Sequence, residues 1–257
     1  VTAVMVFLYA PLLVLMAFSF NNSKRNVVWR GFTTKYYEKA WNDSTLMEAL
    51  GNSLTIAGLS TLFSLVLGTL AAIMLWRFRF PLKSATDGIM SLPIIVPEIC
   101  MGVAFLIFFS AVNWPKGLPW PLSLSAITIA HITFSFPFVT MVVRSRLASF
   151  NKEQEEAAKD LGASEWQAFR DVLLPHIRPA LIAGALLAFT LSLDDFVITF
   201  FTAGPDTITF PVKVYSMVRF SVTPVVNAAS TVLIILTVAL TAVALKFQGV
   251  KAISESH

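Results

Sequence analysis

Three acidic side chains stand where acids are costly. Glu98, Asp194 and Asp195 lie inside apolar stretches long enough to cross a bilayer. An Asp at the centre of such a span costs roughly 2.5–3.5 kcal/mol, so these groups are expected to face protein or water, and such acids are functional by default. Carboxylates spaced along a path attract cations. Phe196, Phe200, Tyr215, Trp114 and Trp120 are available on the same side to add cation–π contacts. Ser192 completes a series of small residues, Ala180, Gly184, Ala188 and Ser192, that recurs every four positions. At about 100° per residue this series keeps to one side of a helix, and small residues mark helix–helix contact faces. Asp195 falls in the same sector and Asp194 at its edge, which puts both at a bundle or subunit interface beside a path. Two other roles stay open. Asp194 or Asp195 can pair with an arginine of a partner subunit as structure, and Glu98 can sit protonated and hydrogen-bonded.

Other chemistries find no support in the residues. His131, beside Thr133, Ser135 and Pro137, reads as a hydrogen-bonded interior histidine. It forms no metal-ligating cluster with the distant His176 and His257, and Cys100 is the only cysteine, so no disulfide forms within the chain. No nucleophile–base pairing and no H-E-x-x-H is present, so the chain is not expected to be an enzyme on its own. No G-x-x-x-x-G-K-[ST] phosphate loop is present, so any ATP hydrolysis belongs to a separate subunit.

The elements that position the acids follow from composition. The 257 residues are 56% hydrophobic and 13% charged, far below the roughly 25% charge of soluble domains. The chain reads as one all-α, polytopic membrane domain spanning 1–257. Six stretches meet the length of about 20 apolar residues that a spanning helix needs: roughly 1–20, 54–76, 89–109, 122–143, 179–201 and 226–247. The first is too long for a signal-peptide core and reads as a retained span. The pairs Arg77/Arg79 and Arg144/Arg146 flank span ends on one side, which is therefore expected to be the inside, with both termini there too. Lys24, Arg25, Arg30, Lys35 and Lys39 in loop 21–52 weaken that bias. The formal charge of +4 speaks to topology rather than to nucleic acid. Trp114, Pro115, Pro119, Trp120 and Pro121 suit an outer headgroup interface, and Gly204-Pro205-Asp206 is a turn. Pro93 and Pro97 precede Glu98 and are expected to break the third helix beside a cavity.

The longest polar interval of the second half, 144–178, holds a second candidate site. Asn151 with Gln154 resembles a capping box, residues 152–161 favour helix, and Gly162 suits the position after a helix end. Ser164 and Gln167 make a capping box for a second helix over 165–173, which Pro175 and Pro179 are expected to close. The result is a two-helix elbow. Its ridge of Ala157, Ala158, Leu161 and Ala163 lets another protein approach closely, and Glu153, Glu155 and Glu156 offer charge pairing. A helix lying on the membrane surface would instead carry Lys/Arg and bulky apolar residues.

Glu156-Ala157-Ala158, Leu161-Gly162-Ala163, Leu174-Pro175 and Pro179 resemble the EAA motif of ABC-importer permeases. Leu191 to Ile198, His131 to Phe134, Phe18 to Ser23 and Gly31 to Tyr37 are similar to the second permease subunit of the spermidine/putrescine importers. The resemblance covers nearly the whole chain. It implies a type I importer permease fold in the bacterial inner membrane and polyamine cargo. It also implies a sister permease, a periplasmic solute-binding protein and two ATPase subunits that bind ATP and magnesium, with no cofactor in this chain. Glu156, Ala157, Ala158 and Gly162 are then the positions of the coupling helix that fits the ATPase. Tyr36, Tyr37 and Trp41, in the first outer loop, either touch the solute-binding protein or pack on the membrane interface. Iron(III), thiamine or an opine-like solute remains an alternative cargo, and an ATPase-independent secondary transporter an alternative class.

Overall fold

The computed structural model describes residues 2–23, 28–112, 123–204, 207–220 and 223–252. Trp114, Pro115, Pro119, Trp120, Pro121 and the Pro205-Asp206 turn lie outside them. Among the described residues the only pairing of extended segments is an isolated bridge, Asn21 with Phe32; the rest is helix and connection. Helices α1 (Thr2–Phe18) and α2 (Lys35–Trp41) precede the long α3 (Ser44–Arg77). Asp43 starts α3, its carboxylate accepting from Thr45 N at 3.0 Å and Leu46 N at 3.1 Å. The Thr45 hydroxyl, which donates to the same oxygen at 2.8 Å, is the main reason that the Asp43 carboxyl is held below the usual carboxylate range. At about 1.5 Å per residue α3 exceeds the roughly 30 Å of a hydrocarbon core, so it projects beyond the bilayer.

Each of the six apolar stretches is helical over most of its length, but two are broken. The third is split into α4 (Lys83–Ile95) and α5 (Glu98–Ala111), bent by 108°. Pro97 forces Val96 into an extended conformation (φ −72°, ψ 131°), as proline does to the residue before it. The fifth stretch was expected to run without interruption over 179–201. Instead α9 (Leu174–Leu193) stops at the acids, and a short α10 (Val197–Thr202) begins three residues later. The side chain of Asp195 explains this: it accepts from the backbone N–H groups of Ile198 and Thr199 and so nucleates a new helix start.

The centre is built by α3, α6 (Leu124–Leu147) and α9, each packed on the other two. Val139 of α6 sits at their closest approach. A Cβ at Gly68 of α3 would stand 2.7 Å from Val139 Cβ, and one at Gly184 of α9 would stand 3.3 Å from Val139 Cγ1. The small-residue series of α9 is buried along its length, at Ala180, Gly184, Ala188 and Ser192, as a contact face requires. Around this centre lie α11 (Phe210–Phe220) and α12 (Pro224–Ala252). Among the described residues, four helices are long and apolar enough to cross a membrane: Ser44–Arg77, Leu124–Leu147, Glu165–Leu193 and Pro224–Val243. The bent pair makes a fifth when its two halves are counted as one span, and Val4–Phe18 is a shorter apolar helix.

Candidate functional site

The break after α9 gathers a buried polar chain from four helices. Ser60 of α3 donates to Ser192 Oγ at 2.9 Å. The Ser192 hydroxyl meets His131 Nδ1 of α6 at 2.7 Å. On the other side of the ring, His131 Nε2 lies 3.0 Å from Thr199 Oγ1 of α10 and 3.2 Å from Asp195 Oδ2. Thr199 then donates to Asp195 through its hydroxyl and its backbone N–H, each at 2.8 Å, and Ile198 N donates at 3.3 Å. With the histidine proton on Nε2, each donor in this sequence meets an acceptor. His131 is 2% exposed and Asp195 9%, so the chain is sealed from solvent and each bond acts in a low dielectric.

This arrangement separates the two adjacent acids. Asp195 and Ser192, expected beside a path, are both turned into the protein and bonded to its own groups. Asp194 is exposed at the end of α9. Glu98 is exposed in the first turn of α5 and lies within electrostatic range of Asp194. The juxtaposition follows from α5 packing on α10: a Cβ at Gly102 would stand 2.6 Å from the Phe201 ring. Both helix breaks thus present an open carboxylate. Next to Asp194 the Phe196 ring lies tilted, 4.7 Å from Tyr215 and 5.5 Å from Phe200, and Phe200 and Tyr215 are both exposed. Two carboxylates next to exposed aromatic faces can hold an organic ammonium group by Coulomb attraction and cation–π contact.

The elbow forms largely as its residues require. In α7 (Glu153–Asp160), Gly162 N donates to Lys159 O at 2.8 Å and Ala163 N to Ala158 O at 3.0 Å. These two bonds define a Schellman motif, and they need the positive φ of Gly162, +90°. Ser164 and Gln167 form the expected capping box for α8 (Glu165–Ala168), with bonds of 3.3 Å and 2.7 Å. Two expectations fail. Gln154 does not close a box with Asn151; instead the Asn151 side chain accepts from Glu153 N at 3.0 Å. Pro175 and Pro179 do not end the second helix either. A π-helical turn, Phe169–Leu173, joins α8 directly to α9. In it the Leu174 N–H reaches back five residues to Phe169 O, and the chain winds on past Pro175, which has no N–H to donate.

Glu155 of α7 faces inward and is buried, whereas Glu156, Ala157 and Gly162 are exposed and Ala158 is half-buried. Leu161 is 91% exposed and Trp166, stacked on Phe169, is 65% exposed. The elbow thus carries two bulky apolar side chains on its outer surface. The first loop divides its aromatic residues differently. Tyr36 is buried and donates to Ser23 O at 2.7 Å, and Tyr37 bonds Ser19 Oγ at 2.6 Å. Both belong to the loop's own packing, whereas Trp41, 73% exposed, is open to a partner, as are Trp29 and Phe32 of the same loop. Ser60 and Thr199 escaped the sequence reading because hydroxyls on helices are too common to signal a partner dozens of residues away.

Residues 64–250 match the family described as the binding-protein-dependent transport system inner membrane component. The chain belongs to this family and is a multi-pass inner-membrane transport subunit. Among its relatives is the spermidine/putrescine transport system permease protein PotC of Escherichia coli K12, 42% identical over 91% of this chain and 87% of that one. The putrescine transport system permease protein PotI of the same organism is 42% identical over 89% of this chain and 82% of that one. In three dimensions the chain resembles a subunit of a bacterial ABC transporter that imports the acidic polysaccharide alginate, with a TM-score of 0.72 at 19% identity, over 96% of this chain and 91% of that one. That likeness concerns the fold alone, which is that of ABC-importer permeases.

Proposed function

We propose that this chain is one of two permease subunits of an ATP-driven importer that carries polyamines across the bacterial inner membrane. Asp194 and Glu98 are the acids of its path. The observation that carries the reading is a pair of exposed carboxylates, each at a helix break, with the rings of Phe196, Phe200 and Tyr215 grouped next to Asp194. A permease of the same fold serves a transporter of an acidic polysaccharide, so the fold does not choose the charge of the cargo and the side chains at the break must. Asp195 and Ser192 support the path from behind by holding the break in shape. In this reading the six apolar stretches each count as a span, both termini are cytoplasmic, and so is the elbow. Glu156, Ala157, Ala158, Leu161 and Gly162 dock into one of two ATPase subunits that bind ATP and magnesium. A sister permease completes the path, and a periplasmic solute-binding protein delivers the polyamine, with Trp41 available on that side.

The test is uptake of radiolabelled putrescine and spermidine by proteoliposomes holding the whole importer, energised with ATP. Asp194→Asn and Glu98→Gln are each expected to lower uptake by about tenfold or more, in line with the loss of a charge-assisted contact of roughly 1.5–3 kcal/mol, while the ATPase subunits stay bound. Unchanged uptake in both variants overturns the placement of the path. Preference for iron(III), thiamine or an opine-like solute over both polyamines overturns the cargo, and uptake that survives without the ATPase overturns the class.

A further inference from the structure

Four charged side chains close a ring at the elbow end of the bundle. Arg77 Nη2 lies 2.8 Å from Glu155 Oε1 and 3.3 Å from Glu165 Oε2. Lys159 Nζ lies 3.3 Å from Glu155 Oε1 and 2.6 Å from Glu165 Oε1. The signs alternate, so each charge is flanked by two of the opposite sign. Beside the ring, Lys152 Nζ sits 4.9 Å over the ring of Trp76. An isolated ion pair at a surface contributes little. This one differs because the Glu155 side chain is only 8% exposed, and a buried carboxylate that loses its cation is strongly destabilised. Contact with Glu165 holds the Lys159 ammonium above its ordinary pKa, and Lys159 holds the Glu165 carboxyl below its own, so both stay charged.

The ring matters for where its members come from. Arg77 is the last residue of α3, Glu155 and Lys159 belong to α7, and Glu165 is the first residue of α8, which continues through the π turn into α9. Helices α3 and α9 are therefore joined at two levels: at the elbow by Arg77–Glu165, and inside the bundle by Ser60–Ser192, next to the broken helix. Meanwhile α7 turns Glu155 toward this pair of rods and Glu156, Ala157 and Leu161 away from it. Any displacement of the outward face is opposed or passed on by the ring.

We propose that Arg77 is the positioning residue that makes α7, α3 and α9 move as one body, so that motion of the elbow reaches the break at Asp194. This rests on the reading of the elbow as the ATPase dock. It predicts that removing Arg77 separates ATP hydrolysis from transport without undocking the ATPase.

The experiment uses the whole importer in proteoliposomes and reads three quantities: ATP hydrolysed, polyamine taken up, and ATPase subunit retained per permease. Arg77→Met is expected to keep the ATPase at the wild-type ratio and to lower uptake per ATP by about tenfold, a coupling loss within the usual range between sites. Arg77→Lys, which keeps the charge, is expected to recover most of that loss. The double variant Arg77→Met/Glu155→Gln is expected to be no worse than Arg77→Met, because members of one pair are non-additive. It also serves where a buried Glu155 left with Lys159 as its one cation keeps Arg77→Met from assembling. The proposal is overturned if uptake per ATP is unchanged in Arg77→Met, or in the double variant where only that assembles. It is also overturned if the ATPase dissociates, if Arg77→Lys is as impaired as Arg77→Met, or if the losses add. A wild-type assembly lacking ATP-driven uptake overturns the importer reading itself, and the proposal with it.

Discussion

His131 Nε2 lies 3.2 Å from Asp195 Oδ2, joining the middle of α6 to the break between α9 and α10. The pair ties Asp195 into the fold. His131→Ala removes a donor to a buried carboxylate and leaves Ser192 without its acceptor. The expected loss is about 1.5–3 kcal/mol, the range for hydrogen bonds to charged groups, read as a lower unfolding midpoint of the detergent-solubilised protein. Asp195→Asn is expected to cost a similar amount, and the double variant less than the two losses together. A full-stability Asp195→Asn variant with reduced uptake would instead return Asp195 to the path.

The positions of these acids were only half legible. The cost of placing Asp194 and Asp195 in an apolar span is plain from composition, and the spacing of Ala180, Gly184, Ala188 and Ser192 identifies the contact face. The break itself was not, because Phe196 to Phe201 are as apolar as the helix before them, and hydropathy does not register a side chain capturing two backbone N–H groups. At Glu98 the opposite held. Pro97 restricts Val96 by local sterics, which a sequence carries directly. The elbow was legible for the same reason: Gly162 and the Ser164/Gln167 pair act over a few residues. Pro175 does not end the helix because α9 packs against α3 and α6 and a π turn carries the chain past the proline.

Gly162 is required by backbone geometry alone. At φ +90°, with open space around its missing Cβ, Gly162→Ala meets no neighbour yet must adopt a left-handed conformation that costs about 1–2 kcal/mol. The Schellman turn is expected to loosen and Leu161 to lose its fixed presentation. Protease nicking of the elbow should increase while the unfolding midpoint of the bundle stays near wild type. Equal resistance to nicking would count against this account.

Asp43 gives a pH dependence with a defined sign. Its folded-state pKa is lowered, chiefly by the Thr45 hydroxyl and also by the Leu46 and Thr45 backbone N–H groups. A group with a depressed folded pKa stabilises fully above its unfolded value and loses that contribution as pH falls through the folded one. The α3 start is therefore firm at neutral pH and weakens only below the ordinary carboxylate range. Asp43→Ala is expected to cost about 1 kcal/mol at pH 7, and the difference from wild type should shrink toward pH 3. A difference that persists unchanged at low pH would exclude the carboxylate as the cap.

Two glycines of the same helix should respond in opposite directions. A Cβ on Gly68 would stand 2.7 Å from Val139 Cβ and 2.8 Å from the Phe136 carbonyl oxygen. The second is backbone of α6 and cannot step aside, so Gly68→Ala must push α3 and α6 apart. Overpacking of this kind costs about 1–3 kcal/mol. Gly58 is exposed, and a Cβ there meets nothing within 4 Å, so Gly58→Ala gains helix propensity of up to about 1 kcal/mol. Unfolding midpoints measured side by side decide the matter. A lower value for Gly68→Ala with an equal or higher one for Gly58→Ala is expected, and the reverse order would mean that α3 and α6 do not cross at Val139.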